Sequence, residues 1–532
     1  MNRENLRAVL TPIVLALAVV FGMMINHFIP TKRNNAAASK IFLPVNGSKL
    51  DVIINMIQHS YVDTVNSNEL VEKAISILLK DLDPHTVYIP AEDMQRANES
   101  IVGNFGGIGV QFYNYLDTAL VVKVVPGGPS EKAGVQDGDR IIRVNDSLIA
   151  GKNMDSKQIM SMLRGEMGTD VKLTILRKGE PQLLIKNVTR GSIPIKSIDI
   201  AYMLNDTTGY VKIRTFGMHT YGEFMRALAE LTQKGMKKVV VDLRDNEGGV
   251  LPIAIQMINE FLEEGQLILY TQGQASPRSD FNANGKGNYK DLKLDVLINE
   301  FSASASEIFA GAIQDNDRGT IIGRRSFGKG LVQEQRMLPD GSALRLTVAR
   351  YYIPSGRSIQ KPYNEGKEKY YNDIYNRLKH GEFSQKDSIV FDEKLKFQTV
   401  GGRTVYGGGG VMPDIFVPAD TTGASRYLVA LSESQLLYDY TFDFMEHHRA
   451  EMKDLKDYKS IQKYLKRFDL VGDMADYAAK RGLKKDKRGI KDSYEILRVR
   501  LEAFIARHLI DDEGFYPILG EKDITIQKAI EE

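Results

Sequence analysis

The sequence predicts a multidomain α/β protein with helical segments on both sides of its central part. At 532 residues the chain is too long for one hydrophobic core, so several domains are expected. Between residues 193 and 362, continuous apolar strands alternate with amphipathic helices, which is typical of a mostly parallel sheet with right-handed crossovers. Short strands with glycine-rich turns occupy residues 100–190, and helical periodicity marks residues 48–98 and the stretch after residue 425.

The composition excludes several functional classes. The formal net charge is +2, so the chain lacks the basic field expected of a nucleic-acid-binding protein. Cysteine is absent, which excludes disulfides, thiolate metal sites and a cysteine nucleophile. The 8 histidines form no His-Glu-x-x-His motif, which disfavours a zinc peptidase.

The N-terminus carries a targeting segment. Arg3 and Arg7 precede an apolar run over residues 10–29, which is about twenty residues and long enough to span a bilayer. Basic residues before such a run favour a cytoplasmic N-terminus. The three alanines at 36–38 lie far behind the apolar run, so an uncleaved anchor is favoured over a cleaved signal peptide. We expect a membrane anchor within residues 1–30 and a body on the extracytoplasmic side of the inner membrane, in the cell envelope or periplasm.

Residues 99–191 show an ordered series of turn motifs between short strands. The motifs are Pro126-Gly-Gly-Pro129, Ala133-Gly134 and Gly138-Asp139. This order resembles a PDZ domain, which binds an extended peptide at a sheet edge and its terminal carboxylate through a Gly-x-Gly loop. The resemblance implies a peptide or protein partner with a free C-terminus. The expected carboxylate loop consists of Gly107, Ile108, Gly109 and Val110.

The remaining body divides into three further regions. A helical region is expected over 47–98, and a larger α/β domain over 192–420. Within the latter, the polar, tyrosine-rich segment 363–400 is expected to be a surface insertion. Residues 424–532 are helix-patterned and highly charged, and we expect a C-terminal helical domain of no readable function.

Ser304 is the first candidate for catalysis. It follows the buried strand predicted over 294–298 and opens a predicted helix. Backbone N–H groups at a helix N-terminus are unpaired and carry partial positive charge, so they suit a developing oxyanion. The N–H of Ala305 is the natural first donor. The alternative is that Ser302, Ser304 and Ser306 are only helix caps.

Lys329 supplies a candidate base for Ser304. A lysine ordinarily titrates near 10.4 and can accept a proton only when neutral, so its site must lower the pKa, most simply by desolvation. Gln333 lies four residues later in a predicted strand, so both side chains face one side and the amide can hold the amine. The alternative is an ordinary surface lysine and glutamine on a hairpin predicted over 330–352.

Together these motifs resemble the C-terminal processing peptidases, also called tail-specific proteases, over residues 48–418. The matching segments are Ser302-Ala-Ser-Ala-Ser-Glu-Ile308, Phe327-Gly-Lys-Gly-x-Val-Gln333 and Tyr352-Ile-Pro-Ser-Gly-Arg357, besides the internal PDZ pattern. The resemblance implies a crotonase-like α/β protease core without metal or cofactor. It assigns Ser304 as nucleophile, Lys329 as general base and Gln333 as the residue that orients the lysine.

The resemblance also implies two further roles. Gly248 or Gly249 would supply the second oxyanion donor. The family usually has Asn-Pro-Gly-Gly there, whereas this chain has Glu247 in place of the proline. Arg164 resembles an arginine that senses bound substrate and helps to order the site.

The implied function is a serine endopeptidase that cleaves envelope proteins at or near their C-termini through an acyl-enzyme. One alternative is an envelope scaffold that uses its PDZ domain and has a gated or inactive hydrolase core. Another is a crotonase-like acyl-CoA enzyme, which the anchor and the PDZ pattern disfavour. The sequence leaves open a homo-oligomer or an activating partner.

Overall fold

The computed structural model describes residues 49–115 and 117–532, in two compact units that divide after Leu78. The first unit contains the helices α1 (Lys49–Ser60) and α2 (Ser67–Leu79), the second of which ends at the boundary. In the described part of the chain, no helix is both long enough and apolar enough to cross a membrane. The anchor predicted within residues 1–30 lies outside the described residues.

The second unit begins with a strand, β1 (Val87–Ile89), where the sequence predicted only helix. The prediction was wrong at these residues because β1 pairs antiparallel with a strand far along the chain, at residues 343–345. Valine, tyrosine and isoleucine favour a strand once such a partner exists. A 3₁₀ turn (Ala91–Asp93) and helix α3 (Met94–Val102) follow.

Residues 104–194 form an antiparallel sheet of short strands, as predicted. Its elements are β2 (Asn104–Gly107), β3 (Val110–Tyr115), β4 (Thr118–Val124), α4 (Pro129–Lys132), β5 (Arg140–Val144), β6 (Ser147–Leu148), α5 (Ser156–Leu163), β7 (Asp170–Leu176), β8 (Leu184–Thr189) and β9 (Gly191–Pro194). The strand order is β3-β4-β5-β7-β8, with β6 added to β5. β3 is therefore a terminal strand, and the pairing of β2 with β9 ties the two ends of the domain together.

Residues 198–416 form the α/β domain. Its elements are β10 (Ile198–Met203), β11 (Thr208–Ile213), α6 (Thr220–Gln233), β12 (Lys238–Asp242), α7 (Leu251–Asn259), β13 (Leu267–Gln272), β14 (Ser279–Asn282), β15 (Lys293–Ile298), α8 (Ala305–Asp315), β16 (Thr320–Gly323), β17 (Leu331–Met337), β18 (Ala343–Tyr352), α9 (Lys367–Lys379), β19 (Lys396–Gln398), β20 (Thr404–Tyr406) and β21 (Ile415–Phe416). The 3₁₀ turns Lys386–Ser388 and Glu393–Leu395 lie between α9 and β19.

Two sheets organise this domain. The central sheet has the order β10-β11-β12-β15-β16-β21 and is parallel except for β10, which confirms the mostly parallel sheet. The second sheet has the order β1-β18-β13-β14, and β17 pairs with β18 in the predicted hairpin. Helices α6, α7 and α8 bury the largest apolar core against the central sheet, where Phe224, Phe261 and Phe309 are fully buried.

The segment 363–400, which the sequence predicted to be a surface insertion, is partly buried. Tyr370 and Arg377 of α9 are buried. Arg377 donates to the backbone carbonyls of Ser326 (2.9 Å) and Arg325 (2.6 Å), and the Tyr370 ring lies edge-on to Phe327, with 5.7 Å between centroids. Helix α9 therefore supports the chain that leads into Lys329, a long-range contact that polar composition does not reveal.

The C-terminal region is helical throughout. Its helices are α10 (Arg426–Glu433), α11 (Leu436–Met452), α12 (Tyr458–Leu465), α13 (Leu470–Lys480), α14 (Lys487–Asp492), α15 (Tyr494–Ile510), α16 (Asp512–Gly520) and α17 (Ile524–Glu531). α10 to α16 share an apolar core of their own. α17 instead covers the second face of the central sheet, where its Ile526 and Ala529 meet Val240, Leu297 and Ile322.

Asp523 fixes the start of α17. Its carboxylate accepts the N–H groups of Thr525 and Ile526 as an N-cap, and it also pairs with the Arg244 guanidinium at 2.8 Å. Arg244 starts the loop that leads to Gly248, so the last helix of the chain supports this loop of the central domain.

We predict that Ile526→Ala lowers the free energy of unfolding by about 2–5 kcal/mol, because it leaves a cavity against the central sheet. Ile524→Ala on the same helix is the matched control, since Ile524 is 39% exposed; its effect should stay near 0.5 kcal/mol. Urea unfolding of both variants checks this. Equal effects would show that α17 does not contribute to the central core.

Helix α11 packs on the outer face of β3. The phenol of Tyr113 donates to Asp439 at 2.6 Å, and the phenol of Tyr115 donates to Asp443. The ring of Tyr113 also lies 4.4 Å from that of Tyr438. The C-terminal helices therefore contact the domain at 104–194 through one face of its terminal strand, β3. The unpaired edge of β3 is a separate surface.

A double-mutant cycle with Tyr113→Phe and Asp439→Ala should give a coupling energy of about 1.5–3 kcal/mol, the range of hydrogen bonds to charged groups. The control cycle pairs Lys123→Ala with Asp511→Ala, which removes an ion pair whose side chains are 38% and 52% exposed. That pair should contribute about 0.5 kcal/mol or less. Urea unfolding of wild type and the six variants measures both cycles, and equal coupling would contradict a specific contact at Tyr113.

Candidate active site

A cavity of about 560 Å³ lies between the carboxyl edge of the central sheet and the β17–β18 hairpin. Ser304 follows β15 and Gly248 follows β12, and these two parallel strands are neighbours. Because the carboxyl ends of parallel strands meet at one edge, their following loops lie together. The cavity walls include Gly248, Ser304, Lys329, Gln333, Arg345 and Tyr351.

Ser304 stands directly before α8, as predicted. Its backbone has φ 55° and ψ −113°, a conformation that non-glycine residues rarely adopt and that concentrates at functional sites. The loop of Asn246 holds it there, because the Asn246 carbonyl accepts both the Ala303 N–H (3.0 Å) and the Ser306 hydroxyl (2.8 Å). Ser306 is therefore a structural residue, whereas Ser304 lines the cavity.

Glu307 connects the backbones of Ser304 and Lys329. Its fully buried carboxylate accepts the N–H groups of Ser304 (2.9 Å), Gly328 (2.7 Å) and Lys329 (2.8 Å), and the hydroxyl of Ser326. Burial raises the pKa of Glu307 to about 7, although each of these four donors favours the ionised form. The four donors together satisfy both oxygens of the carboxylate and offset part of its desolvation.

The amine of Lys329 meets Gln333 as the sequence predicted, with 3.1 Å between Nζ and Oε1. The amide of Gln333 in turn donates to the carbonyl of His85 at 2.6 Å. Burial lowers the pKa of Lys329, and the positive charge of Arg345 lowers it further. The two candidate catalytic side chains line one cavity, and within the described chain no hydrogen bond joins Ser304 Oγ to Lys329 Nζ.

The candidate oxyanion donors differ in availability. Because the Gly248 N–H already donates to Asn246 Oδ1 at 2.8 Å, the Gly249 N–H is the better candidate for the second oxyanion donor, beside that of Ala305. Gly248 has φ 101°, and a Cβ on it would lie 2.8 Å from the Ala305 nitrogen. Only glycine therefore fits at 248, where the loop touches the start of α8. Glu247 is exposed and lines the same cavity.

The structure places Arg164 outside the residues that line the cavity. Its guanidinium pairs with Glu99 at 2.7 Å and lies over the ring of Phe105, 4.0 Å from the centroid. Glu99 belongs to α3, whose Ala97 and Ile101 do line the cavity. The ion pair with Glu99 therefore connects Arg164 to the cavity through α3.

The predicted carboxylate loop lies between β2 and β3, with Gly107 closing β2 and Val110 opening β3. Ile108 is buried in the core of this domain, and Gly109 has φ 73°. The left-handed backbone at Gly109 makes the turn that directs the chain into the terminal strand β3.

Sequence reasoning missed several residues that support the site. Glu307 stands three residues after Ser304, the spacing of a capping box, so this signal was readable. Tyr351, whose hydroxyl donates to the carbonyls of Ser304 (3.2 Å) and Lys329, and His85 act from distant parts of the chain. Neither residue has a local sequence pattern that would reveal this role.

Comparison with known families identifies three segments. Residues 207–366 match peptidase family S41, and residues 106–186 match the PDZ domain. Residues 427–511 match a family of unknown function. The mixed α/β core with a PDZ domain and flanking helices, expected from the sequence, is thereby confirmed.

Similar proteins include two named as probable CtpA-like serine proteases. The protein from Staphylococcus haemolyticus is 34% identical over 313 residues, which cover 58% of this chain and 62% of that protein. The protein from Staphylococcus epidermidis is 33% identical over 316 residues, which cover 59% and 63% of the two chains. This chain therefore spans less than two thirds of the length of either relative. Among solved structures, the photosystem II D1 C-terminal processing protease is 24% identical with a TM-score of 0.37, covering 71% of this chain and 89% of that one.

Replacement of Glu307 with glutamine should change how stability depends on pH. Since the folded protein raises the pKa of Glu307 from 4.5 to about 7, the stability this group contributes is full below pH 4.5 and is lost as pH rises to about 7. Urea unfolding should show that the stability of the wild type relative to the variant falls by about 3 kcal/mol between pH 4.5 and 8. Glu334→Gln, at a carboxylate that is 54% exposed, is the control. A pH-independent difference for Glu307→Gln would contradict the assignment.

Proposed function

We propose that the protein is a serine endopeptidase that cleaves protein substrates at or near their C-termini. One observation carries the proposal: Ser304 and the half-buried Lys329 line one cavity of an S41 domain, and the carboxylate of Glu307 holds the backbones of both. A lysine whose pKa is lowered by burial is the kind of base that a serine hydroxyl needs where no histidine serves.

The proposed reaction proceeds through an acyl-enzyme. Ser304 Oγ attacks the scissile carbonyl while its proton passes to neutral Lys329 Nζ. The backbone N–H groups of Ala305 and Gly249 stabilise the oxyanion. The protonated Lys329 then gives its proton to the departing amine, and a water molecule that Lys329 deprotonates hydrolyses the ester. Gln333 keeps the amine in place through both steps.

The PDZ domain is proposed to capture the free C-terminus of the substrate. Its terminal strand β3 can accept an extended peptide as an additional strand, and the turn at Gly107–Val110 can bind the carboxylate. Binding of a peptide to the PDZ domain would affect the cavity through the Arg164–Glu99 ion pair, because Glu99 lies on α3 and α3 also lines the cavity. We further propose that the anchor predicted within residues 1–30 holds the enzyme at the inner membrane, where envelope proteins are its substrates.

Cleavage of two matched unfolded proteins by the full chain tests the proposal. One ends in an apolar tail and the other in Asp-Asp, and mass spectrometry follows the products. We expect cleavage of the apolar-tailed protein, and a loss of at least about 10⁴-fold in Ser304→Ala and Lys329→Ala. Lys329→Arg should be equally inactive, because a guanidinium stays protonated. Lys369→Ala, at a lysine that is 62% exposed on α9, should retain activity.

The pH profile supplies a second readout. Because only neutral Lys329 accepts the serine proton, activity should rise with pH through the lowered pKa of Lys329. Cleavage that persists in Ser304→Ala would overturn the proposed nucleophile. Absence of cleavage by wild type, together with tight binding of the apolar tail, would favour the PDZ scaffold instead.

A further inference from the structure

The cavity contains a second cation, Arg345, that the proposed reaction does not use. Arg345 lies on β18 opposite Gln335 of β17, and its Nη2 donates to Gln335 Oε1 at 2.8 Å. Its side chain is partly buried in the cavity wall. Among the described residues, no carboxylate forms an ion pair with it.

Two other arginines of the α/β domain form ion pairs with carboxylates. Arg357 meets Asp315 at 2.8 Å, and Arg324 meets Glu300 at 2.8 Å. A guanidinium has five N–H donors and binds planar carboxylates through two of them, so a single neutral amide leaves most of its capacity unused. Burial lowers the pKa of Arg345, which is the direction expected for a cation without an offsetting carboxylate.

We propose that Arg345 binds a carboxylate of the peptide substrate and thereby selects the cleavage position. This inference rests on the proposed peptidase function and names a substrate feature for the same site. The carboxylate can be an acidic side chain or the C-terminal carboxylate of the peptide, and its chemistry is the same in both cases.

The position of Arg345 determines how far from the scissile bond the substrate carboxylate must lie. Gln333 and Gln335 are on the same face of β17, and such residues repeat at about 7 Å. Gln333 holds the general base, so Arg345 lies about one such repeat beyond it. An extended substrate would therefore present its carboxylate about two to three residues from the reacting carbonyl.

Charge in the cavity makes the inference more specific. Lys329 and Arg345 contribute the cationic groups of the walls, and Glu247 contributes a carboxylate. A substrate carboxylate near Glu247 would be repelled, whereas one at Arg345 would be attracted. Binding at Arg345 would also offset the charge that helps to lower the pKa of Lys329. The pH at which activity rises should then be higher for a carboxylate-bearing substrate than for a neutral one.

The test uses the full chain and three peptides with one core sequence. The first ends in an amide and has no acidic residue, the second ends in a free carboxylate, and the third ends in an amide and has one glutamate, scanned over the four residues on each side of the cleaved bond. We measure kcat/KM for each as a function of pH in wild type, Arg345→Gln and Arg345→Lys. Arg336→Gln is the matched control, because Arg336 is 64% exposed on the same hairpin.

We expect a preference of about tenfold or more for the second peptide or for one glutamate position, as for a charge-assisted hydrogen bond. Arg345→Gln should abolish the preference, Arg345→Lys should retain part of it, and Arg336→Gln should leave it intact. Preference for the second peptide identifies a terminal carboxylate, and preference at one glutamate position identifies an acidic side chain. Equal kcat/KM for all peptides in wild type, or an unchanged preference in Arg345→Gln, would overturn the inference while the proposed function stands. Failure of wild type to cleave any of the peptides or the apolar-tailed protein would overturn both.

Discussion

A single buried carboxylate constrains the candidate active site. Glu307 binds the N–H of Ser304 on one side and those of Gly328 and Lys329 on the other, so the helix start and the hairpin entrance cannot move independently. The carboxylate is desolvated, and only its four donors compensate for the lost water. If one donor were lost, the ionised carboxylate would be less stable and one link between the two segments would be removed. The relative position of the proposed nucleophile, Ser304, and the proposed base, Lys329, therefore depends on one carboxylate.

The C-terminal helices act on two parts of the molecule. Through α17 they cover the second face of the central sheet, and Asp523 at the start of that helix pairs with Arg244. Through α11 they contact the PDZ domain at Tyr113 and Tyr115. One helical domain thus touches both the loop that leads to Gly248 and the domain proposed to capture substrate. Residues 427–511, which match a family of unknown function, include α11, so this segment of the chain contacts the PDZ domain.

Local patterns made much of the fold predictable, whereas long-range contacts did not. Continuous apolar strands such as Lys238–Asp242 predicted the parallel sheet, because only a strand covered on both faces is apolar throughout. The contact of Lys329 with Gln333 was predicted from their spacing, although only Gln333 lies in β17 and Lys329 precedes that strand. The strand at Val87–Ile89 and the support from His85 depend on partners more than 200 residues away, which no local periodicity encodes. Tyr351 acts on Ser304 and Lys329 from another strand of the fold, which local periodicity does not encode either. The roles assigned to the site residues, and the domain boundaries, remain predictions.

The charges around Lys329 have opposing effects on its pKa. Burial favours the neutral form of Lys329, which the proposed chemistry needs, and it also raises the pKa of Glu307, whose four donors favour the ionised form. An ionised Glu307 attracts the proton of Lys329 and so opposes deprotonation of the proposed base, whereas Arg345 assists it. The donors to Glu307 are three backbone N–H groups and the Ser326 hydroxyl, whereas the Lys329 amine donates to Gln333. Because the amine gains no hydrogen bond from this carboxylate, burial remains the largest influence on the pKa of Lys329 and lowers it.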